Sequence, residues 1–282
     1  MQLDPTGNYV VPAHPLLAPY AMTILTNLGA VVEVGRFSAD FLARVQILGL
    51  AGEGLAFRCG AFCEISPTAE ILVGGGHHND GLWNLSLLGQ APAFGNFMDP
   101  ANRALRGMEP ARPVILGDNV LISAGALIVD GVEIGTGAVI GAGSVVTRSC
   151  EPLSIYAGVP ARKLRDRLAP ERAALYAACR IPELHAHHLP RIPALMKGLE
   201  AGELTIDDYL GHVSFLKAAP RLHWEATVTS AGRINLTGLS KATVDGKDID
   251  AATFEAIRSY LSQSGTATVA WTPDIFHTLG LC

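Results

Sequence analysis

The sequence predicts a mainly β protein whose central part winds as a parallel coil of short strands. Three observations carry this. An aliphatic residue returns at every sixth position through "LGDNVLISAGALIVDGVEIGTGAVIGAGSVVT", Leu116 to Thr147. A period of six is neither the 3.6 of a helix nor the two-residue alternation of a strand. Glycine is abundant, at 30 of 282 residues, while charged residues make up only 17%, a composition of tight turns and buried rungs rather than long solvated helices.

The six anchors are Leu116, Ile122, Ile128, Ile134, Ile140 and Val146. Four positions after the first five come Val120, Ala126, Val132, Ala138 and Ser144, all small or β-branched. This is the signature of a hexapeptide β-helix, in which each hexad gives one strand and one turn, and three hexads, roughly 18 residues, complete a coil. The anchors point into a narrow prism, and the small residues fit where the wall turns. Gly117, Gly135 and Gly141 follow their anchors, where a tight backbone is most easily supplied by glycine. The same phase runs upstream through Cys59, Ile65 and Ile71 in "CGAFCEISPTAEI". Ile71 and Leu116 are 45 residues apart, which is not a multiple of six. The chain therefore leaves the coil between them, and a Gly-, Pro- and Ala-rich loop is expected at about 85–113, with the coil resuming near Val114.

The flanks carry no clean hexads. Residues 1–56 are expected to be an N-terminal cap or degenerate coils, because the end of a prism exposes apolar rungs and strand edges. Residues 168–220 read as a helical linker region. It has a helix from Pro170 in "APERAALYAACR" and one or two short helices among the breaks at Pro182, Pro190 and Pro193. Residues 221–282 read as a smaller C-terminal α+β appendage. Its strands turn at Ala231-Gly232 and Asp245-Gly246, and Asp250 caps a helix with Phe254, Ile257 and Leu261 on one face. The remainder, residues 57–167, is the coil with its protruding loop.

A net charge of −5 points to neither a nucleic-acid nor an anionic-membrane partner. No stretch approaches the ~20 apolar residues of a membrane span, and the first basic residue is Arg36, so no charged signal-peptide region opens the chain. The five cysteines are odd in number and show no CxxC spacing. They read as reduced thiols of a cytoplasmic protein, with Cys59 and Cys63 filling core positions.

"EILVGGGHHNDG", Glu70 to Gly81, sets two histidines after three glycines. By itself it is a polar surface turn or a backbone shaped to present an imidazole. Its surroundings carry a resemblance. "CGAFCEISPTAEILVGGGHHND" resembles the segment that leads to the catalytic histidine in hexapeptide-repeat acyltransferases, and within them the xenobiotic, sugar and polysaccharide O-acetyltransferases. "LGDNVLISAGALIVDGVEIGTGAVIGAGSVVTRSCEPLSIYAGVPARKLR" resembles the coil and tail that bind coenzyme A in that family. Together the blocks run from about Phe57 to Arg167.

The resemblance implies a left-handed parallel β-helix, a homotrimer with sites between neighbouring prisms, and acetyl-CoA as co-substrate. With the register set by Asp80, the catalytic base falls on His77 and His78 is its neighbour. Asn79 or Asp80 would orient His77 or cap the turn. The Ala124 amide is the implied oxyanion donor. Ala124 and Ala142 would line the pantetheine slot, Thr147 and Arg148 the nucleotide end, and Arg162 and Arg165 the phosphates. Read without the resemblance, "ARKLRDR" is a solvated helix start partly balanced by Asp166.

No metal is expected, since no histidine occurs between His78 and His185 and the coils after Leu116 supply none. "HAHH" at His185–His188 reads as a solvated loop beside Pro190. The implied acceptor is a hydroxyl of a sugar, glycan or small glycoside. "GLWNLSLLGQAP" displaces Trp83 and lacks the Pro-Phe that relatives carry after the histidine, which points away from the antibiotic-modifying members. Two other readings stay open: an N-acetyltransferase on an amino or nucleotide sugar, and a non-catalytic β-helix scaffold.

Overall fold

A computed structural model of the chain describes residues 20–38, 45–48, 54–74, 111–230, 232–244 and 246–263. β1 (Ala21–Thr26) and β2 (Ala30–Val34) form an antiparallel hairpin. β3 (Val45–Leu48), β4 (Gly54–Cys59), β5 (Glu64–Ile65) and β6 (Glu70–Gly74) follow. Then come β7 (Val114–Leu116), β8 (Leu121–Ile122), β9 (Leu127–Ile128), β10 (Glu133–Ile134), β11 (Val139–Ile140) and β12 (Val145–Val146). Successive strands step round three walls. β2, β4, β7 and β10 stack in parallel on the first, β5, β8 and β11 on the second, and β3, β6, β9 and β12 on the third. Glu133 lies opposite Ile115, Val139 opposite Leu121 and Val145 opposite Leu127, so each coil takes three hexads.

All six anchors are buried, with Cys59, Ile65 and Ile71 above them, in one continuous core. The small positions Val120, Ala126, Val132, Ala138 and Ser144 are buried with them. Each aliphatic anchor removed from water contributes about 1.5–3 kcal/mol, and since every coil repeats the same anchors, that stabilisation accumulates along the prism.

The glycines after the anchors differ from expectation in their physical reason. Left-handed backbone occurs two residues later, for example at Asn119 (φ 53°) and Gly143 (φ 67°). Gly117 and Gly135 are needed for space instead. A Cβ on Gly117 would lie 2.5 Å from the Thr136 nitrogen, and one on Gly135 would lie 2.4 Å from that of Pro152. Each corner sits directly against the next coil, and a side chain there would push the coils apart.

β4 bonds directly to β7, with Phe57 opposite Val114, and β6 bonds directly to β9, with Ile71 opposite Ile128. The chain between Gly74 and Ala111 therefore leaves and re-enters without parting the rungs. A Cβ on Gly74 would be 3.1 Å from that of Ala111, so the two ends meet at one edge. Most of the loop anticipated at about 85–113 lies outside the described residues.

Both ends of the prism carry additional strands. At one end, β15 (Arg221–Val228) pairs in parallel with β1 and antiparallel with β16 (Ile234–Val244), which pairs with β17 (Lys247–Asp248). The first wall thereby grows to eight strands. The turn between β15 and β16 reaches over the third wall, where the Ile47 N–H donates to the Gly232 carbonyl at 2.9 Å. The strands read from sequence as an appendage thus share a sheet with the coil and cover the edge of β3. α4 (Ala251–Gln263) follows, and its Thr253 N–H donates to the Asp250 carboxylate at 2.9 Å. At the other end, β13 (Ser154–Gly158) stacks on β11 and turns back into antiparallel β14 (Ala161–Asp166).

Between these ends lie α1 (Pro170–Ala178), α2 (Ile192–Ala201) and α3 (Ile206–His212), which bury Cys179, Leu199 and Tyr209 in a core of their own. The region docks on the edge between the first and second walls. Arg36 there is 2% exposed. Its guanidinium donates to the carbonyls of Pro182 and Leu184. It also lies 5.3 and 5.8 Å from the ring centres of Phe37 and Phe62, which stack 4.9 Å apart on successive coils. Burial lowers its pKa to about 10, so it stays charged at neutral pH. The Asn119 amide donates to the Tyr176 hydroxyl at 3.2 Å, and Arg167 lies over the same ring.

Gly135→Ala should destabilise the protein by about 3 kcal/mol or more through overpacking, and Gly143→Ala by only about 1 kcal/mol through its left-handed backbone, measured by denaturant unfolding. Arg36→Ala should leave the far-ultraviolet circular dichroism of the coil unchanged while speeding amide exchange across residues 181–184, where its bonds are lost.

Candidate active site

The edge between the second and third walls is built from the turns Ser123-Ala124-Gly125 and Gly141-Ala142-Gly143 of successive coils. The Gly143 N–H donates to the Ala124 carbonyl at 2.8 Å, which fixes one turn on the other. Ala124 and Ala142 are both exposed, and neither amide N–H finds an acceptor among the described residues. The β13–β14 turn continues this column. Ile140 lies opposite Tyr156, so Gly158 falls beyond Ala142, and its N–H donates to the Ser144 hydroxyl at 3.2 Å.

Thr147 and Arg148 follow β12 and lie, exposed, on the other edge of the third wall. Gly74, at the end of β6, shares that edge, two coils away. His77 comes three residues later, outside the described residues, as do His78, Asn79, Asp80 and Trp83. The stretch from Glu70 to Gly74 spans about 13 Å of strand. Within one chain, then, the point where the His77 segment departs and the alanine column stand at opposite edges of one wall.

Arg162 and Arg165 are on β14, not at a helix start: "ARKLRD" is a strand, and the helix begins at Pro170. Arg162 pairs with Ala157 beside the turn and Arg165 with Ile155 further along. Lys163 between them is held by Glu151 and Asp166, each at 2.7 Å. These bonds raise the Lys163 pKa and lower that of Asp166. Arg148, Arg162 and Arg165 form no ion pair among the described residues, and all three are exposed. In an acidic chain these are three cations beside the coil available to an anionic ligand. The sequence singled out Ser144 only as a small residue. Its one visible distinction is a hydroxyl where the four preceding small positions are Val or Ala.

Cys59, Cys63, Cys150 and Cys179 are buried free thiols, and burial pushes the Cys59 thiol well up. Among the described residues no group of three or more His, Cys, Asp or Glu is placed to hold a metal ion, and no helix is long and apolar enough to cross a membrane.

Residues 113–148 match the family model of the bacterial transferase hexapeptide, six repeats. This part of the coil is a hexapeptide repeat of the transferase type. A chloramphenicol acetyltransferase of Agrobacterium fabrum is 33% identical over 120 residues, 41% of this chain and 54% of the relative. One of Klebsiella aerogenes is 36% identical over 119 residues, with the same shares. The chain spans about half the length of the curated relatives it matches. Among solved structures it is similar to the polysialic-acid-specific acetyltransferase NeuO, at 21% identity over 53% of this chain and 64% of that one, with a TM-score of 0.34. It is also similar to a galactoside acetyltransferase in complex with coenzyme A, at 23% identity over 53% and 68%, with a TM-score of 0.31.

The "HAHH" cluster is not a solvated loop. Ala186 to Arg191 form a 3-10 turn in which His188 is 8% exposed. The Ser214 N–H donates to His188 Nε2 at 2.9 Å, so that nitrogen carries no proton. The His187 ring centre is 3.9 Å from that of His188 and 5.6 Å from that of His185. Burial and the neighbouring His185, His187 and Arg191 lower the His188 pKa. A lowered folded-state pKa contributes stability that is complete above the unfolded value, about 6.5, and is lost as pH falls through the folded one. The melting temperature should therefore drop below about pH 6.5 by an increment that His188→Asn abolishes, measured by thermal scans from pH 8 to pH 5.

Proposed function

We propose that the protein is an acetyl-CoA-dependent acyltransferase that transfers acetyl to a hydroxyl of a sugar, glycan or small glycoside. The observation that carries this is the alanine column. Two exposed turns present unbonded backbone N–H groups in line with the β13–β14 turn, and Arg162, in no ion pair, stands beside that turn with Arg165 further along the same strand. An extended thiol-ended arm with a phosphorylated tail suits such a slot. Backbone amides meet the arm, and Arg162 and Arg165 of the same chain meet the phosphates, joined across a shared site by Arg148 from the facing edge of a neighbouring copy, which serves at least as well as a lysine would. The two curated relatives, both chloramphenicol acetyltransferases, support acetyl transfer through the part of the chain they cover. The sugar acceptor rests on the sequence after the histidines, where Trp83 is displaced.

His77 is the base in this reading. A neutral imidazole takes the proton of the acceptor hydroxyl as its oxygen attacks the thioester carbonyl, worth typically ~10²–10⁴-fold. The negative charge that develops on the carbonyl oxygen is met by the Ala124 N–H. The carbon–sulfur bond then breaks, and CoA thiolate leaves and takes up the proton held by the imidazolium. The thiolate is a good leaving group, so no protein nucleophile is required.

Gly74, from which the chain leads to His77, stands across one wall from the alanine column, which suits a site shared between copies, with His77 of one facing Ala124 of the next in a trimer of left-handed coils. The outer face of the third wall suits such a contact, since Leu48, Leu72, Leu127 and Val145 point outward from it half-exposed.

His77→Ala should lose at least a hundredfold in turnover while binding CoA as the wild type does, with thiol release from acetyl-CoA over a panel of sugars as the readout. Normal turnover by that variant would remove His77 from the mechanism.

A further inference from the structure

Each coil turns from its second wall to its third around one small buried residue. In successive coils these are Ala69, Ala126 and Ser144, with exposures of 0%, 1% and 0%. They stack in register: the Glu70 N–H donates to the Ala126 carbonyl and the Leu127 N–H to the Ser144 carbonyl, each at 2.8 Å. Two alanines show that the corner requires only a small side chain. A hydroxyl sealed from water at such a place is costly unless it is hydrogen-bonded.

The partner of this hydroxyl lies outside the coil. Ser144 Oγ accepts from the N–H of Gly158, the last residue of β13. That end of β13 is laddered to β14, with Gly158 opposite Ala161, but the coil itself bonds to it at few points. The last bond from the coil to the strand before it is Gly141 N–H to the Tyr156 carbonyl, at 2.8 Å. Beyond Gly158 the chain runs out to Val159, which is 72% exposed. The turn also carries Arg162, whose Nη1 donates to the Ala161 carbonyl at 2.9 Å. Wherever the turn is held, the unpaired guanidinium and the continuation of the alanine column are held with it.

We propose that Ser144 is a positioning residue for the co-substrate. Through Gly158 it fixes the β13–β14 turn beside Ala142, so that the slot extends past the last coil with its flanking arginine in place. This rests on the slot being the CoA site, as proposed above. The inside of the coil thereby sets the geometry of a binding edge on its outside, by one hydrogen bond that the fold itself does not need.

The test is Ser144→Ala, which installs the residue that two other coils use at the same corner. Coenzyme A binding by calorimetry, thermal melting and amide exchange at Gly158 are compared with the wild type. The melting temperature should be unchanged, Gly158 exchange faster, and CoA binding about three- to tenfold weaker, the loss expected of one neutral hydrogen bond. Wild-type affinity in the variant overturns the proposal and leaves the CoA site standing. Wild-type protein that does not bind CoA overturns the site itself. In that case faster Gly158 exchange in the variant still supports the hold on the turn, and unchanged exchange overturns that too.

Discussion

The corners of the coil decide whether the rest can exist. Strands on one wall must approach to the spacing of a hydrogen-bonded sheet. They do so only if the turn leading away from each rung lies flat against the next. Gly35, Gly60, Gly117 and Gly135 stand one above another on the edge between the first and second walls, and at each a Cβ would strike backbone of the neighbouring coil or its continuation. The buried anchors supply the driving force, but burial is non-directional. The bare corners turn a greasy sequence into rungs of fixed spacing, and every edge described above inherits that spacing.

The sequence made the coil legible because burial repeats. Leu116 to Val146 recur at a fixed interval, and each is buried alike. It also allowed the individual C-terminal strands to be read, but not their place. β15 pairs with β1, some two hundred residues earlier in the chain, and no local pattern encodes a partner that distant. The same limit hid Arg36, whose significance comes from the carbonyls of Pro182 and Leu184. "HAHH" looked solvated because polarity was its only local property. Its burial depends on Ser214 from a different segment.

For the candidate site the sequence supplied residue types and part of their arrangement. Ala124 and Ala142 are 18 residues apart, so one full coil sets them on the same edge, and the period alone implies that neighbourhood. That Thr147 and Arg148 stand on the opposite edge also follows from counting hexads once the walls are known. Which arginines remain unpaired does not follow. Lys163 lies between Arg162 and Arg165 in sequence, yet Glu151 and Asp166 neutralise it alone. That selection depends on the antiparallel return of β14, which its charged sequence disguised as a helix start.

The seam at Gly74 and Ala111 bears on how this architecture can change. Because β4 is bonded to β7 as though nothing intervened, the number of residues spliced in there is invisible to the scaffold. Closing a longer segment costs little, about 0.6 kcal/mol for each doubling of its length. A lineage can therefore rewrite, extend or trim that stretch, histidines included, without renegotiating a single rung. Scaffold and inserted stretch are free to drift at separate rates.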